Sequence, residues 1–271
     1  MPVDVKLTMR SGQTPTFIFS QVEDKFIRTY NGKIVEVWQD EKFKLKTNNK
    51  KFFNSLFRQQ DDLQAHYDLL SLNDDFMSRA IQNHYGLRLT KSDYWEAITC
   101  FILSSNKSVP AIRSSVQKLM MKFGEKNDEF FEFPSVEAIV RANMNDLMSC
   151  GLGYRAPYLK ETAKIVSKSD IKFEDYNSAS DFLLSLPGVG PKVRDCVLLY
   201  GYGFTQAFPI DVWIKRGMQE IYFNGKETEF DLINKHSVKL WGNLRGLAQL
   251  YLFYEFMSSK GDSKIKKAIS N

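Results

Sequence analysis

LPGVGPKVRDCVLLYGYGFTQAFPID, residues Leu186–Asp211, sets two helix-stopping signals around a run of helix formers. Pro187 cannot continue a preceding helix, and Gly188 and Gly190 adopt positive φ without steric cost. Pro191 suits the first position of a new helix. The pattern reads as helix, tight hairpin, helix, over about residues 178–203. The backbone N–H groups of Gly188, Val189 and Gly190 and the start of the new helix form an anion site suited to a DNA phosphate.

Two residues in this stretch can do chemistry. Lys192 lies in the first turn of the second helix, where the positive helix end and burial both disfavour an ammonium. A lysine with a lowered pKa is what Schiff-base chemistry requires. Asp211 follows 19 residues later. A helix from Pro191 to about Tyr202 spans about 18 Å, and residues 204–210 reach about 23 Å when extended. The chain can therefore return, so that Asp211 faces Lys192. Pro209 before it and Val212-Trp213-Ile214 after it mark Asp211 as a helix N-cap. Read on residues alone, such a stretch is more often a plain turn followed by a solvated lysine.

Leu186–Val193 followed by Pro209-Ile210-Asp211-Val212 resembles the helix-hairpin-helix DNA glycosylase superfamily, and the lysine at 192 resembles its 8-oxoguanine glycosylase/lyase branch. The resemblance covers most of the chain and implies roles residue by residue. Lys192 is the nucleophile and Asp211 stabilises positive charge on the sugar. Cys196, one turn after Lys192 on the same face, lies against the base. In Ser11-Gly12-Gln13 the Gly12 carbonyl accepts N7–H of an oxidised guanine, an atom that is an acceptor in the parent base. The family often continues with an aromatic-Arg-Trp run, where this chain has Thr14-Pro15-Thr16-Phe17.

Further matches follow in order. Ser104-Ser105-Asn106 places Asn106 in the gap left by a flipped base. Five residues on, the eukaryotic members carry an arginine that reads the orphaned cytosine; here it is Ala111. Gly151-Leu152-Gly153-Tyr154-Arg155 supplies a wedge, Tyr154, and a cytosine reader, Arg155. Two residues past Asp211 the eukaryotic members carry a phosphate-binding histidine; here it is Trp213, with an indole N–H in its place. Gln249 and Phe253, at i and i+4, match a glutamine that reads the Watson–Crick edge and a phenylalanine that stacks on the base.

The rest of the chain bounds these readings. Residues 1–48 read as strands: Val3, Val5 and Leu7 alternate, and Thr16–Phe19, Phe26–Tyr30 and Ile34–Trp38 are β-branched and aromatic. Asn31-Gly32 is a two-residue hairpin signal, and Asp40–Lys42 a second turn before Phe43–Leu45. From Lys50 the period is helical, with Asn73-Asp74-Asp75 and Ser92 or Asp93 as caps. Residues 109–123, 134–149 and about 238–257 read as helices, followed by a lysine-rich tail, Ser258–Asn271. The expected class is α+β: an N-terminal antiparallel β domain (1–49), then a mainly α-helical region (50–271) carrying the helix-hairpin-helix glycosylase core.

A charge of +5 and pI near 8.9 over 271 residues suit a polyanion partner without demanding one. Three widely spaced cysteines, Cys100, Cys150 and Cys196, fit a reducing compartment and neither a disulfide framework nor a metal site. Three histidines show no ligand spacing, so no metal and no cofactor are expected. MPVDVKL lacks a secretory core and no apolar run is long enough for a membrane span. An intracellular monomer acting on double-stranded DNA, in cytoplasm and nucleoid or in a nucleus, is expected. The alternatives are a water-using alkylpurine glycosylase, which Lys192 disfavours, an iron–sulfur endonuclease III type, which the lack of cysteine after Cys196 disfavours, and a non-enzymatic helix-hairpin-helix module.

Overall fold

The computed structural model describes residues 3–40, 44–72 and 74–259, with side chains as far as Phe256. The expected turn at Asp40–Lys42, Asn73 of the capping cluster and the tail beyond Ser259 fall wholly or partly outside them.

The chain opens with helix α1 (Val5–Arg10), where a strand was expected from Val3, Val5 and Leu7. Asp4 decides the matter: its carboxylate accepts the Leu7 N–H at 2.8 Å and caps the helix. The buried hydrophobic residues are then Val5 and Met9, an i, i+4 pair. Four strands follow as an antiparallel meander in chain order: β1 (Ile18–Ser20), β2 (Lys25–Tyr30), β3 (Lys33–Gln39) and β4 (Leu45–Thr47). Asn31 and Gly32 turn between β2 and β3 with φ of 51° and 70°, the double left-handed geometry that the Asn-Gly pair favours.

Helix α2 (Lys50–Leu56) closes this sheet. Phe53 and Phe57, both fully buried, join Val5, Met9, Phe17, Phe26, Val35 and Val37 in one hydrophobic cluster, so the sheet's core continues past residue 49. Each fully buried phenylalanine contributes about 1.5–3 kcal/mol.

The second, larger core is helical. It is built by α3 (Leu63–Ser71), α4 (Asp75–Asn83), α5 (Tyr94–Ser104) and α6 (Val109–Phe123). A short hairpin, β5 (Lys126–Asn127) with β6 (Phe130–Phe131), precedes α7 (Val136–Arg141), α8 (Met144–Ser149) and α9 (Arg155–Val166). Then come α10 (Tyr176–Ser185), α11 (Pro191–Val197), a π-helical turn (Leu198–Tyr202), α12 (Val212–Tyr222), α13 (Phe230–Trp241) and α14 (Arg245–Ser259). Asp74 and Asp93 cap α4 and α5 through the Met77 and Trp95 N–H groups.

Two expected helices are broken. Residues 134–149 divide at Asn143, whose side chain caps α8 by accepting the Asp146 N–H at 2.8 Å. The helix expected over about 238–257 stops at Trp241, because Gly242 takes φ 52° and ψ −128°, a conformation open to glycine. The break lets α14 start afresh against the π turn and the segment that follows it. A Cβ on Gly246 would stand 2.5 Å from Leu199 and 2.7 Å from the Ala207 carbonyl, so only glycine permits this approach. Among the described residues no helix is long and apolar enough to cross a membrane, and no cluster of His, Cys, Asp and Glu could hold a metal.

Candidate active site

The hairpin between α10 and α11 is held from below. Gly188 takes φ 80°, and a Cβ there would press at 2.9 Å on Tyr158 of α9. Thr162, one turn on, donates its hydroxyl to the Pro187 carbonyl at 3.1 Å. Gly190 does not use the positive φ expected of it. It is extended (φ −94°, ψ −178°) and caps α11 with open space around its Cα, so the tight turn rests on Gly188 alone. The exposed side of Gly190 leaves room for a close-approaching group.

Lys192, half-buried in the first turn of α11, donates from Nζ to Ser104 Oγ at 3.2 Å and stands 5.9 Å from the centre of the Phe101 ring. Both partners lie in the last turn of α5. Asp211 caps α12: its Oδ1 accepts the Trp213 and Ile214 N–H groups, each at 2.9 Å. One carboxylate oxygen is thereby fixed and the other is left outside these bonds. Cys196 links the two residues. Burial pushes its thiol up to about 11; the Lys192 charge opposes that rise and the Asp211 charge adds to it. The thiol therefore stays protonated at neutral pH and serves as packing. Lys192 and Asp211 are thus both close enough to Cys196 for their charges to act on its thiol.

Beside Phe101 and Ser104 lies a cavity that also involves Gly12, Gln13, Pro15 and Ile112. Gly12 takes φ 88° and faces the Val109 side chain. The loop is firmly tied although the aromatic-Arg-Trp run is missing. Gln13 donates from Nε2 to the Arg88 carbonyl at 3.0 Å, and its Oε1 accepts the Thr90 N–H at 2.9 Å. Thr16 donates to Glu96 Oε1 at 2.8 Å, and Arg28 donates to both Glu96 oxygens at 2.9 Å in a buried pair. Thr16 and Arg28 thus tie the segment after Gly12 to Glu96 of α5.

On α14, Gln249 is 8% exposed and its Oε1 is buried without a hydrogen-bond partner. An orphaned buried acceptor costs about 1–3 kcal/mol, a cost that a ligand N–H would remove. Phe253, one turn on, is partly buried against the main core.

The gap-filling residues sit on two loops locked together. Asn106 is exposed with φ 50°. Lys107 donates to Ser115 Oγ at 2.6 Å and to the Gly151 carbonyl at 2.7 Å. Gly151 and Gly153 both take positive φ, 77° and 56°. Tyr154 is 55% exposed, as a wedge requires, but Arg155 is 6% exposed. Its guanidinium donates to the Ser105 carbonyl from Nε at 2.8 Å and again from Nη2, to Leu152 O at 3.2 Å and to Asn106 O at 3.3 Å, and it stacks 4.2 Å from the Tyr154 ring. The structure therefore separates the pair read together from the sequence. Ala111 is half-buried in the first turn of α6, and Trp213 is half-buried with Arg216 5.6 Å from its ring.

Ser104, Phe101 and Tyr200 join the site although no sequence motif singled them out for it. The signal available was the spacing of Lys192, Cys196 and Tyr200, each four residues apart.

The model for the HhH-GPD superfamily base excision DNA repair protein matches residues 99–243, and that for the 8-oxoguanine DNA glycosylase N-terminal domain matches residues 2–98. A probable N-glycosylase/DNA lyase of Methanothermobacter thermautotrophicus is 32% identical over 292 residues, covering 92% of either chain. Among solved structures, MBOgg1 in complex with a low affinity DNA ligand superposes with a TM-score of 0.87 at 28% identity, over 95% of this chain and 93% of that one. The Clostridium acetobutylicum 8-oxoguanine glycosylase/lyase, in complex with double-stranded DNA containing cytosine opposite to 8-oxoguanine, gives 0.86 at 25% identity over the same shares.

Proposed function

The chain belongs to the HhH-GPD superfamily of base excision DNA repair proteins, and from that premise we propose that it is a bifunctional glycosylase/lyase that flips 8-oxoguanine out of duplex DNA, excises it and nicks the abasic site. The observation that carries this reading is Lys192: an amine on the hairpin helix, bonded to a neutral hydroxyl 3.2 Å away, in a site that also holds the Asp211 carboxylate.

In the stack the C1′ atom is inaccessible, so the nucleotide must leave the helix. The hairpin holds the phosphate backbone while Tyr154 and Asn106 fill the gap. As the N-glycosidic bond breaks, positive charge develops on the sugar and the fixed Asp211 carboxylate stabilises it. Lys192 Nζ, in its neutral form, forms the bond to C1′ as the base departs with the glycosidic electron pair. The adduct opens to an imine, which acidifies C2′–H. Loss of that proton expels the 3′ phosphate and cuts the strand. On the base side the Gly12 carbonyl accepts N7–H, Gln249 takes the Watson–Crick edge, and Phe253 and Cys196 pack on the two faces. The enzyme acts as a monomer.

Borohydride trapping on a duplex with one 8-oxoguanine tests this. Wild type gives a covalent protein–DNA band; Lys192→Gln gives none, with lesion binding retained. A band of undiminished strength from the variant assigns the nucleophile elsewhere.

A further inference from the structure

Tyr200 belongs to the base pocket by position. It follows Lys192 and Cys196 at a spacing of four, and it sits inside the π-helical turn that continues from the end of α11. Such turns occur often at functional sites because they rotate side chains away from the regular register. The Tyr200 ring stacks on Phe101 with centres 5.4 Å apart and planes at 21°. Phe101 is also the ring beneath Lys192 Nζ and part of the Gly12 cavity.

The hydroxyl end is equally well placed. Cys196, Asp211 and Tyr254 lie in its electrostatic neighbourhood, and burial first, then these three, raise its pKa well above the ordinary tyrosine value. It is therefore an O–H at every physiological pH. The other buried tyrosines of the helical core spend their hydroxyls within the protein: Tyr67 and Tyr251 on each other at 2.7 Å, Tyr202 on the Ile171 carbonyl at 2.7 Å and Tyr254 on the Leu7 carbonyl at 3.4 Å; the half-buried Tyr222 bonds Asp74 at 3.0 Å. No hydrogen bond among the described residues engages the Tyr200 hydroxyl.

The polar atoms expected to meet the base are unbalanced without it. The Gly12 carbonyl and Gln249 Oε1 are both acceptors. Along the edge of a guanine the order is N2, N1, O6, N7. If Gln249 accepts from the N1 side and Gly12 from N7–H, O6 falls between them and needs a donor. Tyr200 stacks on Phe101, which lines the cavity shared with Gly12, and lies near enough to Tyr254 of α14, the helix that carries Gln249, to feel its charge.

We propose that Tyr200 is a specificity-determining residue whose hydroxyl donates a hydrogen bond to the O6 carbonyl of the flipped oxidised purine. This rests on the proposed excision of 8-oxoguanine. It predicts rejection of purines with an amine at position 6, because an amine offers the hydroxyl no carbonyl acceptor.

The test is Tyr200→Phe, which keeps the ring and its stack on Phe101. Single-turnover excision is measured on duplexes carrying 8-oxoguanine or 8-oxoadenine, and strand cleavage on a duplex with a preformed abasic site. Loss of one such donor should slow 8-oxoguanine excision by about 3- to 10-fold, narrow its ratio over 8-oxoadenine by a similar factor, and leave abasic-site cleavage at the wild-type rate, since no base is present there. An equal fall in all three rates would show that the hydroxyl works through Lys192 or Asp211, and an unchanged 8-oxoguanine rate that it is packing; either result overturns the proposal. Wild-type protein that excises no 8-oxoguanine would instead remove the functional reading on which it rests.

Discussion

The two halves of the candidate site handle their polar groups in opposite ways. On the base side, groups are left over: Gln249 Oε1 is buried without a partner, the Tyr200 hydroxyl is unengaged, and one Asp211 oxygen is free of the capping bonds. On the gap side they are consumed. Arg155 gives its donors to the carbonyls of Ser105, Leu152 and Asn106, and Lys107 bridges Ser115 and Gly151. A half with unpaired groups stores a cost that a ligand relieves. A half with satisfied groups has few polar atoms left to offer, and in the proposed function it acts on DNA chiefly by the shape of Tyr154 and Asn106. In the function proposed above, the first half reads the base and the loop pair holds the gap.

Asp211→Asn breaks the reading half with the largest effect. The amide keeps an oxygen for the Trp213 and Ile214 N–H groups, so α12 keeps its cap and stability falls by less than about 1 kcal/mol. The carboxylate charge is lost, and excision should slow by about 100- to 1,000-fold. Single-turnover rates and a thermal melt on the same preparation separate the two effects. A near-wild-type rate would take Asp211 out of the chemistry and leave it as a helix cap.

Arg155→Ala probes the holding half. If its role is to brace the loops, removing donors from buried carbonyls should cost about 1–3 kcal/mol of stability, read by denaturant unfolding. A free reader of the opposite base would show the reverse pattern, unchanged stability with lost discrimination.

The same division explains what the sequence made legible. Turn chemistry could be read directly: Asn31-Gly32, Gly188 and the caps Asp74, Asp93 and Asp211 each fix a local geometry through one residue's own atoms. The α1 segment was misread because the alternation of Val3, Val5 and Leu7 matches a strand as well, and only the Asp4 cap, with burial of Met9, separates the two. The motif residues were found, but not their exposure. Nothing in GLGYR tells that Tyr154 points out while Arg155 turns in, since that depends on carbonyls 49 and 50 residues away. Support for the Gly12 loop from Thr16, Arg28 and Glu96 is likewise non-local and left no motif. Tyr200 carried a spacing signal, but its meaning depends on the π turn and on Phe101.

The finest test concerns the base opposite the lesion. Arginine donates to a base edge in a fork, and one good pair contributes about 1–3 kcal/mol of discrimination, or about 5- to 150-fold. This chain has Ala111 where the family resemblance implies such an arginine, and Arg155, the other reader that the resemblance implies, already donates to three backbone carbonyls. Excision opposite cytosine should therefore be only modestly faster than opposite adenine. Ala111→Arg should raise that ratio, because position 111 lies in the first turn of α6, on the same loop–helix junction as Asn106. Single-turnover excision from duplexes differing only in the opposite base measures both. A strict cytosine requirement in the wild type would mean that Arg155 leaves its carbonyls when DNA binds. The holding half would then be a second reading half that arms itself on contact, and Arg155→Ala would abolish the preference as well as the brace.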